Sequence, residues 1–275
     1  MFRNQLTEVL TNNGKIDEVW FDGANGEGPN GKKQEYDWAS YYSLIRKLQS
    51  NAVIAVMGPV VRWVGTETGY GRDTEWSVVP TSNLDQNNIA EGSQQQMNIK
   101  PAGDMRQKDL VSRDKILQGK GLVWYPAESD VSIRPGWFYH EHEDSKVKSP
   151  EKLLDIYINS VGNNGVLILN IPPTKEGLFH TIDKNNLIGW KKLRDRIFSN
   201  NFLENKSSKL IKHKNRMTVK DKKSRIWTVK NEGADLIFEY KSKNTIRFNL
   251  LQLGEYIKWG QRVENFEVEI FKNGN

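Results

Sequence analysis

The 275-residue sequence predicts an α/β fold. The C-terminal half of a (β/α)8, TIM-like barrel is expected over residues 1–200, followed by an incomplete antiparallel β-sandwich-like domain over residues 201–275. Three observations carry this. Near-continuous apolar runs alternate with amphipathic segments up to about residue 198, the pattern of parallel strands covered by helices. Carboxylates and aromatics gather just after those runs, where a (β/α) barrel builds its active site. Beyond about residue 200 the texture changes to short alternating runs separated by Gly, Asn and Lys, which is antiparallel. Four strands are predicted before residue 200, whereas a complete eight-stranded barrel takes roughly 250 residues.

In chain order, Phe2, Leu6, Val9 and Leu10 recur at helical spacing, and Gly14 sits where a C-terminal cap belongs. Residues 16–22 (IDEVWFD) form a buried strand that ends in a carboxylate, and residues 24–33 (ANGEGPNGKK) are loop. A helix is expected over 35–49, with Tyr36, Tyr41, Leu44, Ile45 and Leu48 on its apolar side. A strand follows at 52–57 (AVIAVM), stopped by Gly58-Pro59. A polar stretch from 59 to 115 carries Trp63, Glu67, Asp73, Glu75 and Trp76; connections this long are usually functional. GLVWY (121–125) is the third strand. Ser149 caps a helix that has Pro150 in its first turn and ends at Gly162. VLILNI (166–171) is the fourth strand, and Thr181 caps a last helix to about residue 197. The later alternating runs are 225–229, 234–240, 245–253 and 263–271.

Composition excludes several functions. There is no Cys, so no disulfide framework, Cys-ligated metal or thiol nucleophile is present in these residues, and four His do not suggest a His-rich metal centre. His140 and His142 fall on one strand face, but no third ligand is evident, so no metal is assigned. No run of 18 apolar residues exists, which predicts no membrane span, and the first twenty residues lack the pattern of a signal peptide. The net charge of +6 is uneven: residues 201–230 hold ten Lys and Arg against two Asp and Glu. KSSKLIKHKNRMTVKDKKSR has no interleaved aromatic ladder, so a solvated face is expected there and no nucleic-acid partner.

Asp22, at a strand end beside Trp20, is on pattern alone either a loop-organising acceptor or a catalytic group. Indole faces suit the C–H faces of sugars, and glycoside hydrolysis needs two carboxyl groups. Glu67, Asp73 and Glu75 are the candidates for the second.

Three segments make the reading specific: VWFDGANG (19–26), VRWVGTETGYGRDTEWS (61–77) and SDVSIRPGWFYH (129–140). They resemble, in order, the α-L-fucosidases of glycoside hydrolase family 29, nearest to bacterial members preferring branched α-1,3/1,4-linked fucose. NNGVLILNIPPTKEGLFH (163–180) and LLQLGEYIKWGQRVENFEVEIF (250–271) extend the likeness into that family's C-terminal β-domain. The resemblance implies a retaining hydrolase with no cofactor, acting on fucosylated glycans. Asp22 falls at the family's nucleophile and Glu67 at its acid/base, with Thr66 standing where Asn is usual before that Glu. Trp20 is implied to line the fucose pocket, Arg62 and Trp76 (with Trp63) to shape the leaving-group side, and Trp137 to close the apolar side near the fucose methyl group. Family members of this kind work in the periplasm or outside the cell.

The family's first barrel strands have no counterpart in this sequence. An N-terminal barrel half is therefore an expected partner, and little hydrolase activity is expected of the chain alone. Two other classes stay open: a non-catalytic glycan-binding protein, and a polyanion-binding module built on residues 201–230.

Overall fold

The computed structural model describes residues 1–22, 36–56, 60–73, 75–81, 108, 110–119 and 121–202. In the C-terminal part it describes residues 208–214, 217–220, 225–228, 237–242, 245–256, 261, 263 and 265–271. The predicted loop at 24–33, the Gly58-Pro59 stop and residues 82–107 lie outside these. The chain divides into two compact units, Met1–Leu193 and Arg194–Asn275.

The first unit opens with α1 (Phe2–Asn12), which buries Leu6 and Leu10. Gly14 follows at φ 72°, a left-handed turn-out that glycine adopts without a Cβ penalty. Strand β1 (Glu18–Phe21) leads to α2 (Trp38–Leu48), where Asp37 accepts a hydrogen bond from the Ser40 amide as N-cap. Strand β2 (Val53–Val56) follows. Helices α1 and α2 and the outer side chains of these strands share one core: Leu6, Leu10, Phe21, Trp38, Tyr42, Ile45 and Ile54.

Strand β3 (Arg62–Trp63) comes next, followed by an excursion. In it β4 (Val78–Thr81) pairs antiparallel with β5 (Gly121–Trp124), and α3 (Arg113–Gln118) lies between them in sequence. This piece has its own small core of Val79, Leu110, Val111 and Tyr125. The GLVWY run is thus a ribbon strand and not the expected parallel one. The chain then returns along β6 (Ala127–Ser132), a strand absent from the expectation and buried along its whole length. A 3₁₀ turn (Glu141–Lys146), α4 (Pro150–Ser160), β7 (Val166–Asn170) and α5 (Thr181–Phe198) complete the series. Ser149 caps α4 through the Lys152 amide, with Pro150 in the first turn as its fixed φ favours.

Strands β1 and β2 pair in parallel, β6 pairs in parallel with both β3 and β7, and a parallel bridge between Ala55 and Val61 joins the two groups. The order is β1-β2-β3-β6-β7. Among the described residues, five parallel strands replace the four predicted.

The sheet is curved. In a flat sheet β1 and β6, three strand spacings apart, would be separated by about 14 Å. Yet the Trp20 indole of β1 donates to the Glu128 carboxyl of β6 at 2.8 Å. Glu18 and Trp20, Trp63, and Glu128 and Asp130 therefore share the concave face, while Phe21 and Ile54 face the helices.

In the second unit β8 (Ser208–Lys214) pairs antiparallel with β11 (Ile237–Ser242), and β9 (Met217–Lys220) with β10 (Arg225–Thr228). The described residues of the predicted runs 245–253 and 263–271 carry no strand. The side chains of the basic stretch lie outside the described residues.

Candidate active site

All five strands run the same way, so their C-terminal ends share one rim. Asp22 is the first residue beyond β1 and is exposed. Glu67 is exposed in the turn after β3, between Gly65 at φ 101° and Gly69 at φ 78°. Those left-handed glycines fold GTETG back on itself, and a Cβ on Gly69 would stand 2.8 Å from both Ile156 and Val131. Beside Glu67 the Thr66 and Thr68 hydroxyls lie 2.9 Å apart, in hydrogen-bonding contact. Gly71 N–H donates to Asn159 O at 2.8 Å, tying the loop to α4.

Trp20 is 38% exposed and Trp137 is 39% exposed, so both offer ring surface to a ligand. The turn that presents Trp137 is organised by Arg134, which is fully buried. It bonds Asp183 at 2.9 Å and Asp144 at 2.8 Å, and its guanidinium lies 4.6 Å from the Tyr139 ring centroid. Asn170, the last residue of β7, donates to both Ser132 Oγ and Trp137 O at 3.0 Å.

Arg62, expected on the leaving-group side, is instead fully buried and holds no surface toward a ligand. It pairs with Glu75 and also donates to Tyr125 O at 2.9 Å and Trp76 O at 3.2 Å. Glu75 receives Arg72 as well, at 3.0 Å. A carboxylate sealed between two guanidinium groups cannot serve as a solvent-exchanging acid, so Glu75 is set aside as the alternative to Glu67. Trp76 packs against the core of the β4–β5 excursion. Asp73 is exposed in the same loop. The His140 and His142 rings stand 5.4 Å apart, and the described residues form no three-ligand His, Asp or Glu group.

Beneath the rim lie groups that the sequence reading missed. Glu128 Oε1 accepts from Trp20 Nε1, and Asp130 Oδ1 accepts from Trp63 Nε1, both at 2.8 Å. Burial, and the hydrogen bond and charge of Glu18, raise the Glu128 carboxyl to about 8. Asp130 is also pushed up, first by burial, with the Trp63 indole pulling it down and the charges of Glu67 and Asp22 adding to the rise. Asp130 thus feels both rim carboxylates. The signal available in the sequence was the E-x-D-x-S spacing of AESDVS, which puts three polar groups on one strand face.

The alpha-L-fucosidase family model matches residues 1–192. Alpha-L-fucosidase 1 of Arabidopsis thaliana is 35% identical over 285 residues, covering all of this chain and 51% of that protein. A crystal structure of an alpha-L-fucosidase homologue from Bacteroides ovatus aligns with TM-score 0.66 at 43% identity, over 84% of this chain and 38% of the other. A Ruminococcus gnavus fucosidase of glycoside hydrolase family 29, solved in complex with fucose, aligns with TM-score 0.58 at 26% identity, over 76% of this chain and 40% of the other. The chain spans about half the length of the curated relatives it matches. With the family model covering the whole curved-sheet unit up to residue 192, the chain belongs to the alpha-L-fucosidase family.

Proposed function

We propose that this chain is the C-terminal part of the catalytic barrel of a retaining α-L-fucosidase, followed by a β-sandwich-like domain. One observation carries the reading: exposed carboxylates follow two parallel strands at one rim, and both act on the same buried Asp130. In this reading Asp22 attacks the anomeric carbon of a terminal α-L-fucose. The C1–O bond to the leaving sugar breaks as Glu67 donates a proton to that oxygen, leaving a fucosyl ester on Asp22. Glu67, now ionised, takes a proton from water; the water oxygen attacks C1, fucose departs with retained configuration, and Asp22 returns to a carboxylate. This requires the carboxyl groups about 5–5.5 Å apart in the working enzyme. The exposed faces of Trp20 and Trp137 suit the C–H and methyl surface of fucose. The substrate class is fucosylated oligosaccharides or glycoconjugates, with α-1,3/1,4-linked fucose the nearest preference, and the setting is periplasmic or extracellular.

The chain spans about half of its curated relatives, so the activity belongs to a completed barrel. The test joins this chain to a separately expressed N-terminal half from a relative and follows nitrophenol release from an aryl α-L-fucoside. Turnover that disappears in Asp22→Asn, and proton NMR showing α-fucose as first product, are the expected results. Turnover untouched in Asp22→Asn would overturn the assignment. The exposed indoles also favour a second reading, a glycan-binding protein without turnover; it is distinguished by fucose binding that persists in Asp22→Asn with no hydrolysis in any form.

A further inference from the structure

Two hydrogen bonds repeat the same arrangement on β6. Glu128 and Asp130 are neighbours on one face of that strand. Each receives an indole N–H at 2.8 Å from a tryptophan on another parallel strand. Trp20 stands two residues before Asp22, and Trp63 four residues before Glu67. The buried strand therefore grips, through indoles, the two chain segments that run out to the rim carboxylates. Both acceptors are deeply buried, at 1% and 7% exposure, so water competes little for either bond.

The Glu128 site holds a further feature. Glu128 Oε2 and Glu18 Oε1 are buried and receive no donor among the described residues. Glu18 lies beside Glu128, and its proximity, after burial, raises the Glu128 carboxyl. Glu128 Oε1 meanwhile holds Trp20. Half-exposed Trp20 would otherwise have rotameric freedom at the place where its ring surface is wanted.

We infer that Glu128 and Asp130 are positioning residues of the sugar site, fixing through the Trp20 and Trp63 indole N–H groups the segments that carry Asp22 and Glu67. This rests on the proposed sugar site. Neither residue touches substrate; each acts through a tryptophan.

The test uses the full chain with 15N-labelled tryptophan and reads two quantities. The first is the indole N–H resonance of Trp20, assigned by its loss in Trp20→Phe. The second is the dissociation constant for L-fucose by calorimetry, across a double-mutant cycle of Glu128→Leu and Trp20→Phe. Glu128→Leu is expected to displace the Trp20 resonance and weaken fucose binding about tenfold, the scale of one lost hydrogen bond to a buried carboxyl. In the Trp20→Phe background the same change is expected to cost under about twofold. Glu128→Gln keeps an acceptor oxygen for the Trp20 indole, so it is expected to restore both readouts. It also separates positioning from folding should Glu128→Leu not fold. Asp130→Asn and Asp130→Leu repeat the comparison for Trp63.

An unmoved Trp20 resonance in Glu128→Leu overturns the inference. So does a fully additive cycle, or a Glu128→Gln protein as weak as the leucine variant. If Glu128→Leu displaces the resonance yet the unaltered chain binds no fucose, the sugar-site reading is what has failed, and the positioning role falls with it while the indole–carboxyl bond stands.

Discussion

Glu128 ties the stability of the fold to pH. The folded chain keeps this proton up to about pH 8, while an unfolded chain gives it up near the ordinary 4.5. Between those values the folded state binds a proton that the unfolded state has lost, so stability falls as pH rises through that window and levels off above it. Asp130, also raised, contributes a slope of the same sign. Urea midpoints between pH 5 and 8 are therefore expected to decline, and Glu128→Gln, with no proton to lose, to make the decline shallower; an equal slope in both proteins would contradict this. Glu75 gives a second expectation. Glu75→Gln leaves Arg62 buried without its counter-charge, and removal of one partner from such a pair costs about 3–5 kcal/mol. A loss below about 1 kcal/mol in chemical denaturation would show the pair to be unimportant to the fold. Asp22 drew attention in sequence as a carboxylate at a strand end beside Trp20, whereas Glu67 was separated from Asp73 and Glu75 only by the family resemblance. Arg62 was misjudged because nothing local in RWVGTETG reveals that its guanidinium turns inward to a carboxylate thirteen residues on.

The connection after β3 shows how a short segment is held at a defined place. Gly69 combines φ 78° with two side chains 2.8 Å from a would-be Cβ, whereas Gly14 has φ 72° and open space around it. Gly14→Ala should cost only the left-handed strain, about 1–2 kcal/mol. Gly69→Ala should cost more, by about 1–3 kcal/mol of overpacking against Ile156 and Val131, and should shift the Glu67 turn. Thermal melts of the two variants compare them directly; equal losses would argue that the turn yields freely. Most of the helices were legible because apolar spacing is a local property, and Ser149 announces α4 before any packing is known; α3, inside the stretch read as polar, was not. Strand β6 was not, because AESDVS has three polar side chains on one face, the reverse of the usual buried pattern. Burial there is made tolerable by indole donors from distant strands, information that no window of six residues holds. GLVWY misled in the opposite sense: its apolar run is real, but its partner is VVPT in a separate ribbon.

Among the described residues, β1 and β7 each pair with one strand only, so the curved sheet ends on two open edges. An N-terminal half that adds strands to those edges is expected to raise the chain's melting temperature as well as its turnover, because burying an edge and completing a rim are one event. Calorimetric scans with and without the added half check this; a rise in turnover with no change in melting would separate the two effects. The parallel seam between β3 and β6 has a consequence for how the chain is made. It sets Trp63 against Glu128, 65 positions later, and so bears the heaviest loop-closure penalty in the sheet. The ribbon of β4 and β5 closes within that interval, pairing Val78 with Trp124 and bringing the distant ends together before the seam must form. The excursion between β3 and β6 is in this sense a temporal device. It shortens the search for the strand pairing with the longest sequence separation in the sheet, and pulse-labelled amides of β5 should gain protection ahead of those of β6.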